Sequence, residues 1–310
     1  MSIPVVDISL PDAPAHLAEA CERFGFLSIT GHGVDSDVLA RAWADARTFF
    51  DQPLDDKMRV AMPSPGYPYG YSPMMGETLS RSLGNQSRPD RKQSLAIGPV
   101  DPPTHTFADA DEAFAWSLNL WPDVPESLRE SWTMRYRAMN DLATRLLSLM
   151  ARGLGLPADH FDSMIDRHTS AMRALDYPGR DSAPPEENDL GASAHTDYGT
   201  LTILEVDAHQ AGLEVQELDG SWLPVLPPPG ALVVNLGDAM ARWTNDRWRS
   251  TMHRVVVPER RRQSIAFFHN ANWDAVIECL EPCRGEGAKY EPIEAGPHLM
   301  HKFRSTVNTY

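Results

Sequence analysis

The pattern of apolar residues changes after Thr169, and this change constrains the fold more than any other feature of the chain. Short apolar runs separated by Gly and Pro replace the earlier helical periodicity. Runs such as Leu201–Val206 and 264–269 are rich in the β-branched and aromatic residues that favour strands. Asp219-Gly220 between two runs is a strong hairpin signal. Many short strands with such turns predict a sandwich or barrel, such as a jelly roll.

The first half of the chain is instead helical in pattern. Apolar residues recur at spacings of three and four over 13–24, after Asp35 or Ser36, and over 125–151. Pro157 lies shortly after the last of these runs and forbids its continuation. The fold class predicted is therefore mainly β with flanking helices, in which N-terminal helices pack on a β core.

Residues 62–106 are rich in Pro, Gly and Ser, and this composition predicts long loops with at most one strand, around Gln93–Ile97. Segments 62–106 and 297–307 are hypothesised to form a lid. No stretch is poor enough in apolar residues to act as a linker. The prediction is a single domain, 1–310, made of a helical N-terminal region (1–165), a jelly-roll core (166–285) and a C-terminal segment (286–310).

Composition narrows the choice of partners. The chain has 43 acidic and 28 basic residues and a net charge of −15, which disfavours nucleic acid or an anionic membrane as a partner. The three cysteines cannot all pair within one chain, because their number is odd, and we interpret them as reduced thiols. No apolar stretch approaches the length that spans a bilayer. We therefore expect a cytoplasmic protein, monomeric by default, with a small-molecule substrate.

Three polar motifs in the β half contain candidate metal-binding and ligand-binding residues. In an extended His195-Thr196-Asp197, the imidazole and the carboxylate point to the same side. His253 follows after several predicted strands. Either motif alone is weak, but two histidines and one carboxylate form the facial triad of non-haem Fe(II) oxygenases. Arg262 and Ser264, two residues apart on a strand, could together bind the distal carboxylate of 2-oxoglutarate.

The sequence resembles the isopenicillin N synthase-like family of Fe(II)- and 2-oxoglutarate-dependent dioxygenases over nearly its whole length. The resemblance is carried by motifs from both halves, namely Phe24-Gly25-Phe26, Gly31-His32-Gly33-Val34, His195-Thr196-Asp197-Tyr198-Gly199, Asn235-Leu236-Gly237-Asp238, Trp243-Thr244-Asn245-Asp246, His253-Arg254-Val255 and Arg262-Gln263-Ser264. It implies a double-stranded β-helix core, a distorted jelly roll.

The resemblance also implies roles for individual residues. The iron ligands would be His195, Asp197 and His253, and Arg262 and Ser264 would hold 2-oxoglutarate. Tyr177, just before Pro178, matches a tyrosine that touches the cosubstrate in many relatives. Leu175 stands where relatives often have asparagine, and Arg173 is a candidate to face the site and contact the cosubstrate instead, against the alternative of a core salt bridge. Pocket candidates for substrate are Tyr198, Phe268 and Asn270.

The function expected is oxidation of a small organic metabolite, most simply hydroxylation in secondary metabolism, with O2 consumed and succinate and CO2 released. Desaturation and cyclisation remain open, as does the substrate. A 2-oxoglutarate-independent oxidase of the same family is the main alternative, because such enzymes can retain the Arg–Ser pair. A zinc hydrolase would need a positioned general base, and no HExxH-like element supplies one. A non-catalytic binding protein is disfavoured by the intact triad.

Overall fold

A computed structural model describes residues 2–64, 66–84, 88–101, 103–182, 184–207 and 211–306, apart from the side chains of 82, 83, 305 and 306. Its strands form two facing sheets and a small pair. The strands are β1 Val5–Asp7, β2 Phe26–Thr30, β3 Gly70–Ser72, β4 Gln93–Ile97, β5 Ala171–Tyr177, β6 Leu190–His195, β7 Leu201–Val206, β8 Leu213–Gln216, β9 Trp222–Pro224, β10 Leu232–Leu236, β11 His253–Val256, β12 Arg262–His269, β13 Val276–Ile277 and β14 Ile293–Glu294.

Helices cover the outer face of the larger sheet and one end of the molecule. They are α1 Ala13–Arg23, α2 Ser36–Phe50, α3 Leu54–Met58, α4 Ala110–Ala115, α5 Leu128–Gly153, α6 Asp162–Ile165, α7 Asp238–Trp243 and α8 Ala295–Thr306, with 3-10 turns at Leu79–Leu83 and Glu281–Cys283. In these described stretches of the chain, no helix combines the length and apolar character needed to cross a lipid bilayer.

The larger sheet has the order β1-β2-β10-β7-β12-β5-β4-β3, and the smaller sheet has the order β6-β11-β8-β9. Apart from the parallel pair β1–β2, neighbouring strands in both sheets run antiparallel. Two such sheets face to face form the distorted jelly roll, so the predicted fold class is confirmed. Strands from the N-terminal region enter the same sheet, since β2 pairs with β10 and β4 with β5.

The helical periodicity read from the sequence has a direct structural counterpart in α5. Its inward face is buried against α1, α2 and the larger sheet, and comprises Leu128, Trp132, Tyr136, Met139, Leu142, Leu146 and Met150. Removing the fully buried Trp132 side chain would cost about 3–5 kcal/mol of stability. Asp35 begins α2 by accepting a hydrogen bond from the Asp37 amide, as the capping pattern predicts.

A second, smaller apolar cluster lies between the two sheets. It includes Phe26, Leu175 and Ala266 from the larger sheet and Val215 and Val255 from the smaller one. Some of its members also line a cavity, so the space between the sheets is only partly filled by side chains. The site described below occupies this space.

The prediction of at most one strand in 62–106 is wrong, because β3 pairs with β4 at the edge of the larger sheet. Gly70–Ser72 is too short to show an alternating pattern. The C-terminal segment contains α8, in which Pro297 occupies the first turn, where proline is tolerated. Residues 65, 85–87, 102 and 307, which belong to the two predicted lid segments, lie outside the described residues.

Candidate active site

The three predicted metal ligands meet at one point between the sheets. Cross-strand pairing of β6 and β11 sets His195 directly opposite His253. Asp197 lies two residues beyond the end of β6, and its Oδ1 is 3.9 Å from Nε2 of His195 and 3.8 Å from Nε2 of His253. One ligand atom from each side chain lies within 4.8 Å of the others. The arrangement can therefore offer two imidazole nitrogens and one carboxylate oxygen to a single ion.

Backbone carbonyls orient both imidazoles. Nδ1 of His195 is 2.7 Å from the Ser193 carbonyl oxygen, and Nδ1 of His253 is 3.1 Å from the Thr251 carbonyl oxygen. Since a carbonyl only accepts, each Nδ1 carries the proton and each Nε2 keeps its lone pair toward Asp197. Burial, together with the neighbouring His253, lowers the pKa of His195 to about 4, so this imidazole is neutral near pH 7.

The carboxylate of Asp197 is held on its far side by two donors. Its Oδ2 accepts hydrogen bonds from the Thr202 hydroxyl at 2.5 Å and from the Asn235 amide at 2.7 Å. Burial alone would raise the pKa of Asp197, but the two histidines and these hydrogen bonds together hold that pKa below its ordinary value. The group is thus a carboxylate anion with Oδ1 directed at the histidines, as metal binding requires.

Arg262 and Ser264 point into the same space from β12. Arg262 is 2% exposed, and among the described residues its Nε and Nη1 find no hydrogen-bond partner. Tyr177 lies opposite Arg262 in the sheet register, with its ring 5.4 Å from the guanidinium carbon. Burial lowers the pKa of Arg262, although an arginine remains charged. Because a buried cation with unused donors is costly, this site fits a carboxylate such as that of 2-oxoglutarate.

The other predicted residues also line the cavity, with different bonding. Arg173 makes an ion pair with Glu77, whose two carboxylate oxygens are each 2.9 Å from Nη1. The amide of Asn270 donates to the Thr169 carbonyl at 2.9 Å, so that group is already used in the fold. Tyr198 and Phe268 belong to the lining as well.

The cavity has a volume of about 660 Å³ and reaches from the three ligands to the surface. Its outer wall comes from the segment between α3 and the first 3-10 turn, from α4, and from α8 through Met300 and Phe303. Parts of both predicted lid segments therefore lie at the cavity. Sequence reasoning missed Glu77 and Lys92, which also line it, because they lie in a segment without periodicity.

Two histidines and a carboxylate set between the sheets of a distorted jelly roll define the class of mononuclear non-haem iron oxygenases. Comparison of the sequence with family models then places it more narrowly. Residues 168–271 match the 2OG-Fe(II) oxygenase superfamily, and residues 3–124 match the N-terminal region described as "non-haem dioxygenase in morphine synthesis".

The chain belongs to the 2OG-Fe(II) oxygenase superfamily, and the predicted isopenicillin N synthase-like family is confirmed. It is 33% identical to a homoarginine-6-hydroxylase of Oryza sativa subsp. japonica, over 92% of this chain and 87% of the relative. It is 36% identical to the 2-oxoglutarate-Fe(II) type oxidoreductase hxnY of Emericella nidulans, over 89% and 79% of the two chains.

A solved structure shows the same architecture. A full-length Neurospora crassa protein, crystallised in complex with alpha-KG, has a TM-score of 0.85 and 26% identity, covering 98% of this chain and 96% of the other. The protein is thus an Fe(II)- and 2-oxoglutarate-dependent dioxygenase that uses O2 and acts on a small organic molecule.

Proposed function

We propose that this enzyme hydroxylates a small organic metabolite at an Fe(II) held by His195, Asp197 and His253. The observation that carries the proposal is the convergence of their three ligand atoms within 4.8 Å, with both imidazole tautomers fixed by backbone carbonyls. The bound iron supplies the activation of O2 that no side chain can supply. The protein positions both substrates and keeps water from the reacting atoms.

Arg262, Ser264 and Tyr177 are proposed to bind the distal carboxylate of 2-oxoglutarate. Nε and Nη1 of Arg262 are unused donors within the described structure, and the pairing of β5 with β12 sets Tyr177 beside them. Ser264 follows on the same face of β12, because side chains alternate along a strand. A planar guanidinium binds a carboxylate through two parallel hydrogen bonds, which orients as well as attracts the cosubstrate.

Tyr198, Phe268 and Asn270 are proposed to line the substrate region of the cavity, and the whole of 1–310 to act as one domain. The sharing of one sheet by β2, β4, β5 and β10 supports that single unit. We further propose a monomer in the cytoplasm with a role in secondary metabolism. The net charge of −15 supports the absence of nucleic-acid and membrane partners, and the free cysteines support a reducing compartment.

Succinate formation tests these roles. Protein loaded anaerobically with Fe(II) is given 2-oxoglutarate and O2, and succinate is quantified for the wild type and for His195→Ala. We expect slow succinate release from the wild type without its substrate, and background levels from the variant. Succinate at wild-type levels from His195→Ala would rule out the proposed iron ligands.

A second measurement tests the cosubstrate residues separately. Arg262→Gln should raise the KM for 2-oxoglutarate at least roughly thirtyfold, since truncating one partner of a buried charged pair costs about 2 kcal/mol or more. Arg261→Gln is the matched control, because the adjacent side chain points to the opposite face and pairs with Asp176 at 2.7 Å. An unchanged KM in Arg262→Gln would refute the assignment.

A further inference from the structure

One charged side chain faces the cavity beyond the residues proposed to bind 2-oxoglutarate. On β5, Arg173 points to the same face as Tyr177 but lies four residues earlier, about 13 Å along the strand. The register with β12 also separates Arg173 from Arg262 along the strands, because Arg262 pairs with Tyr177 whereas Arg173 pairs with Ala266. Arg173 therefore belongs to a different layer of the cavity from Arg262.

The hydrogen bonding of Arg173 is incomplete. Its Nη1 donates to both carboxylate oxygens of Glu77 at 2.9 Å, and within the described residues Nε and Nη2 have no partner. The side chain is 18% exposed, and Arg173 belongs to the cavity lining. An arginine has five N–H donors, so three remain available on the side not occupied by Glu77.

The charges around Arg173 are balanced, but the cations and the anions differ in how many hydrogen bonds they can still make to a ligand. Lys92 lies 3.4 Å from Glu77 and 2.8 Å from Asp90, so two cations face two anions. The Glu77 oxygens already accept from Arg173 and Lys92, and Asp90 accepts from Lys92 and from the Ser193 amide. The unused capacity of this group is therefore donor capacity, which suits an oxygen acceptor and above all an anionic one.

The remaining wall of the cavity is mostly apolar. The hydroxyls of Tyr67 and Tyr69 donate to the carbonyls of Leu118 and Ala115, so the rings rather than the hydroxyls are left for a ligand. Aromatic and aliphatic side chains complete this wall, including Phe114, Leu204, Met300 and Phe303. A ligand that fits has an apolar body and one acceptor group near Arg173.

We propose that Arg173 binds a carboxylate of the substrate, that Glu77 is the partner with which this carboxylate competes for the guanidinium, and that the substrate is a small, mainly apolar carboxylic acid. This inference rests on the proposed function, because it takes the cavity to be the substrate site. It gives Arg173 a role with substrate rather than with 2-oxoglutarate. The substrate carboxylate and the cosubstrate carboxylate then have separate arginines.

Matched pairs of ligands test the proposal by binding rather than turnover. The probes are 3-phenylpropanoate, 4-phenylbutanoate and octanoate, each with its neutral primary amide. Dissociation constants are measured by calorimetry on anaerobic Fe(II)-loaded protein saturated with 2-oxoglutarate, so that Arg262 is already occupied. We expect at least one acid to bind roughly tenfold or more tightly than its amide, as a charge-assisted hydrogen bond predicts.

Three variants decide which side chain is responsible. Arg173→Gln should remove the preference for acids, and Glu77→Gln should strengthen acid binding several-fold, because it removes a competing carboxylate. Arg167→Gln is the matched control, because it breaks an ion pair with Asp274 at 3.0 Å that lies outside the cavity lining. It should change neither the preference for acids nor the affinity for them. If Arg173→Gln does not fold, the opposite sign expected for Glu77→Gln still tests the idea.

The proposal is overturned if no acid binds better than its amide, if the preference survives in Arg173→Gln, or if Glu77→Gln weakens acid binding. Binding of 2-oxoglutarate is measured in the same samples. It should stay within about twofold of wild type in Arg173→Gln but fall in Arg262→Gln, as the two layers require. Loss of 2-oxoglutarate binding in the wild type would instead be a failure of the proposed function.

Discussion

The two ends of the cavity are built in different ways. At the inner end, His195 and His253 come from paired strands, and Asp197 follows one of them directly. Each of the three side chains has a hydrogen bond that fixes its orientation. At the outer end, the wall comes from loops and from the short helix α4 and the terminal helix α8. Strand register therefore fixes the positions of the metal ligands, whereas the packing of loops and helices determines which molecules can enter the cavity.

Contacts at the outer end are aromatic packing contacts, which are weaker than the hydrogen bonds that orient the ligands at the inner end. Phe114 packs against Tyr67 with ring centres 6.5 Å apart and against Phe303 with ring centres 6.2 Å apart. Such contacts are each worth about 0.5–1.5 kcal/mol beyond burial. A substitution at the inner end should therefore abolish or strongly reduce iron chemistry, whereas one at the outer end should change substrate handling by smaller factors.

Asp197→Ala should have the largest effect. It removes the anionic ligand of the three and leaves only the two imidazoles, so iron affinity should fall by more than the roughly 10–100-fold typical of losing an outer partner. Iron content after gel filtration and succinate release measure the effect. Asp219→Ala, at an exposed hairpin turn, is the control for folding. Full iron content in Asp197→Ala would show that the inner end is not the metal site.

Thr202→Val should have the next largest effect. The substitution keeps the volume but removes the hydroxyl that donates to Oδ2 of Asp197 at 2.5 Å. The carboxylate is then less firmly oriented, and we expect iron affinity to fall about 10–100-fold. Competitive chelation measures this affinity. Thr144→Val, whose hydroxyl bonds a carbonyl of its own helix, should leave it unchanged. Equal affinities in both variants would argue against orientation by Thr202.

The difference between residues placed by strands and residues placed by loops also explains which parts of the site could be predicted from the sequence. Residues two apart on a strand share a face, so His195 with Asp197 and Arg262 with Ser264 could be grouped from spacing alone. The contact between Arg173 and Glu77 spans 96 residues and joins a strand to an irregular segment, and no local pattern encodes such a contact. The sequence could therefore name Arg173 as a candidate at the site, but its partner Glu77 could be found only from the structure.

Two elements illustrate the same limit for the fold. The long apolar stripe of α5 was sufficient to predict this helix from the sequence. The observed range Leu128–Gly153 differs from the predicted 125–151 by a few residues at each end. By contrast, β3 has three residues and exists because β4 offers it an edge to pair with. Its formation is a tertiary effect that a short window of sequence cannot contain.

Phe303→Ala should have a moderate effect confined to the outer end. It removes one ring from the wall and admits water, so 2-oxoglutarate turnover without substrate oxidation should rise several-fold while iron affinity stays unchanged. Succinate release without substrate and iron content are measured together. His301→Ala, exposed on the same helix, is the matched control. A loss of iron affinity in Phe303→Ala would contradict the separation of the two ends.

Lys302→Gln should have the smallest effect and tests an ion pair that joins the two ends. Lys302 lies 3.0 Å from Asp238, whose amide donates to the Asp197 carbonyl, so α8 is tied to the ligand segment. Amide exchange of α8 should speed up by roughly fivefold at most, since such pairs contribute up to about 1 kcal/mol. Arg304→Gln breaks the more exposed pair with Asp111 and should change exchange less. If Arg304→Gln had the larger effect, α8 would be held by its outer surface, and closure of the cavity would be independent of the iron ligands.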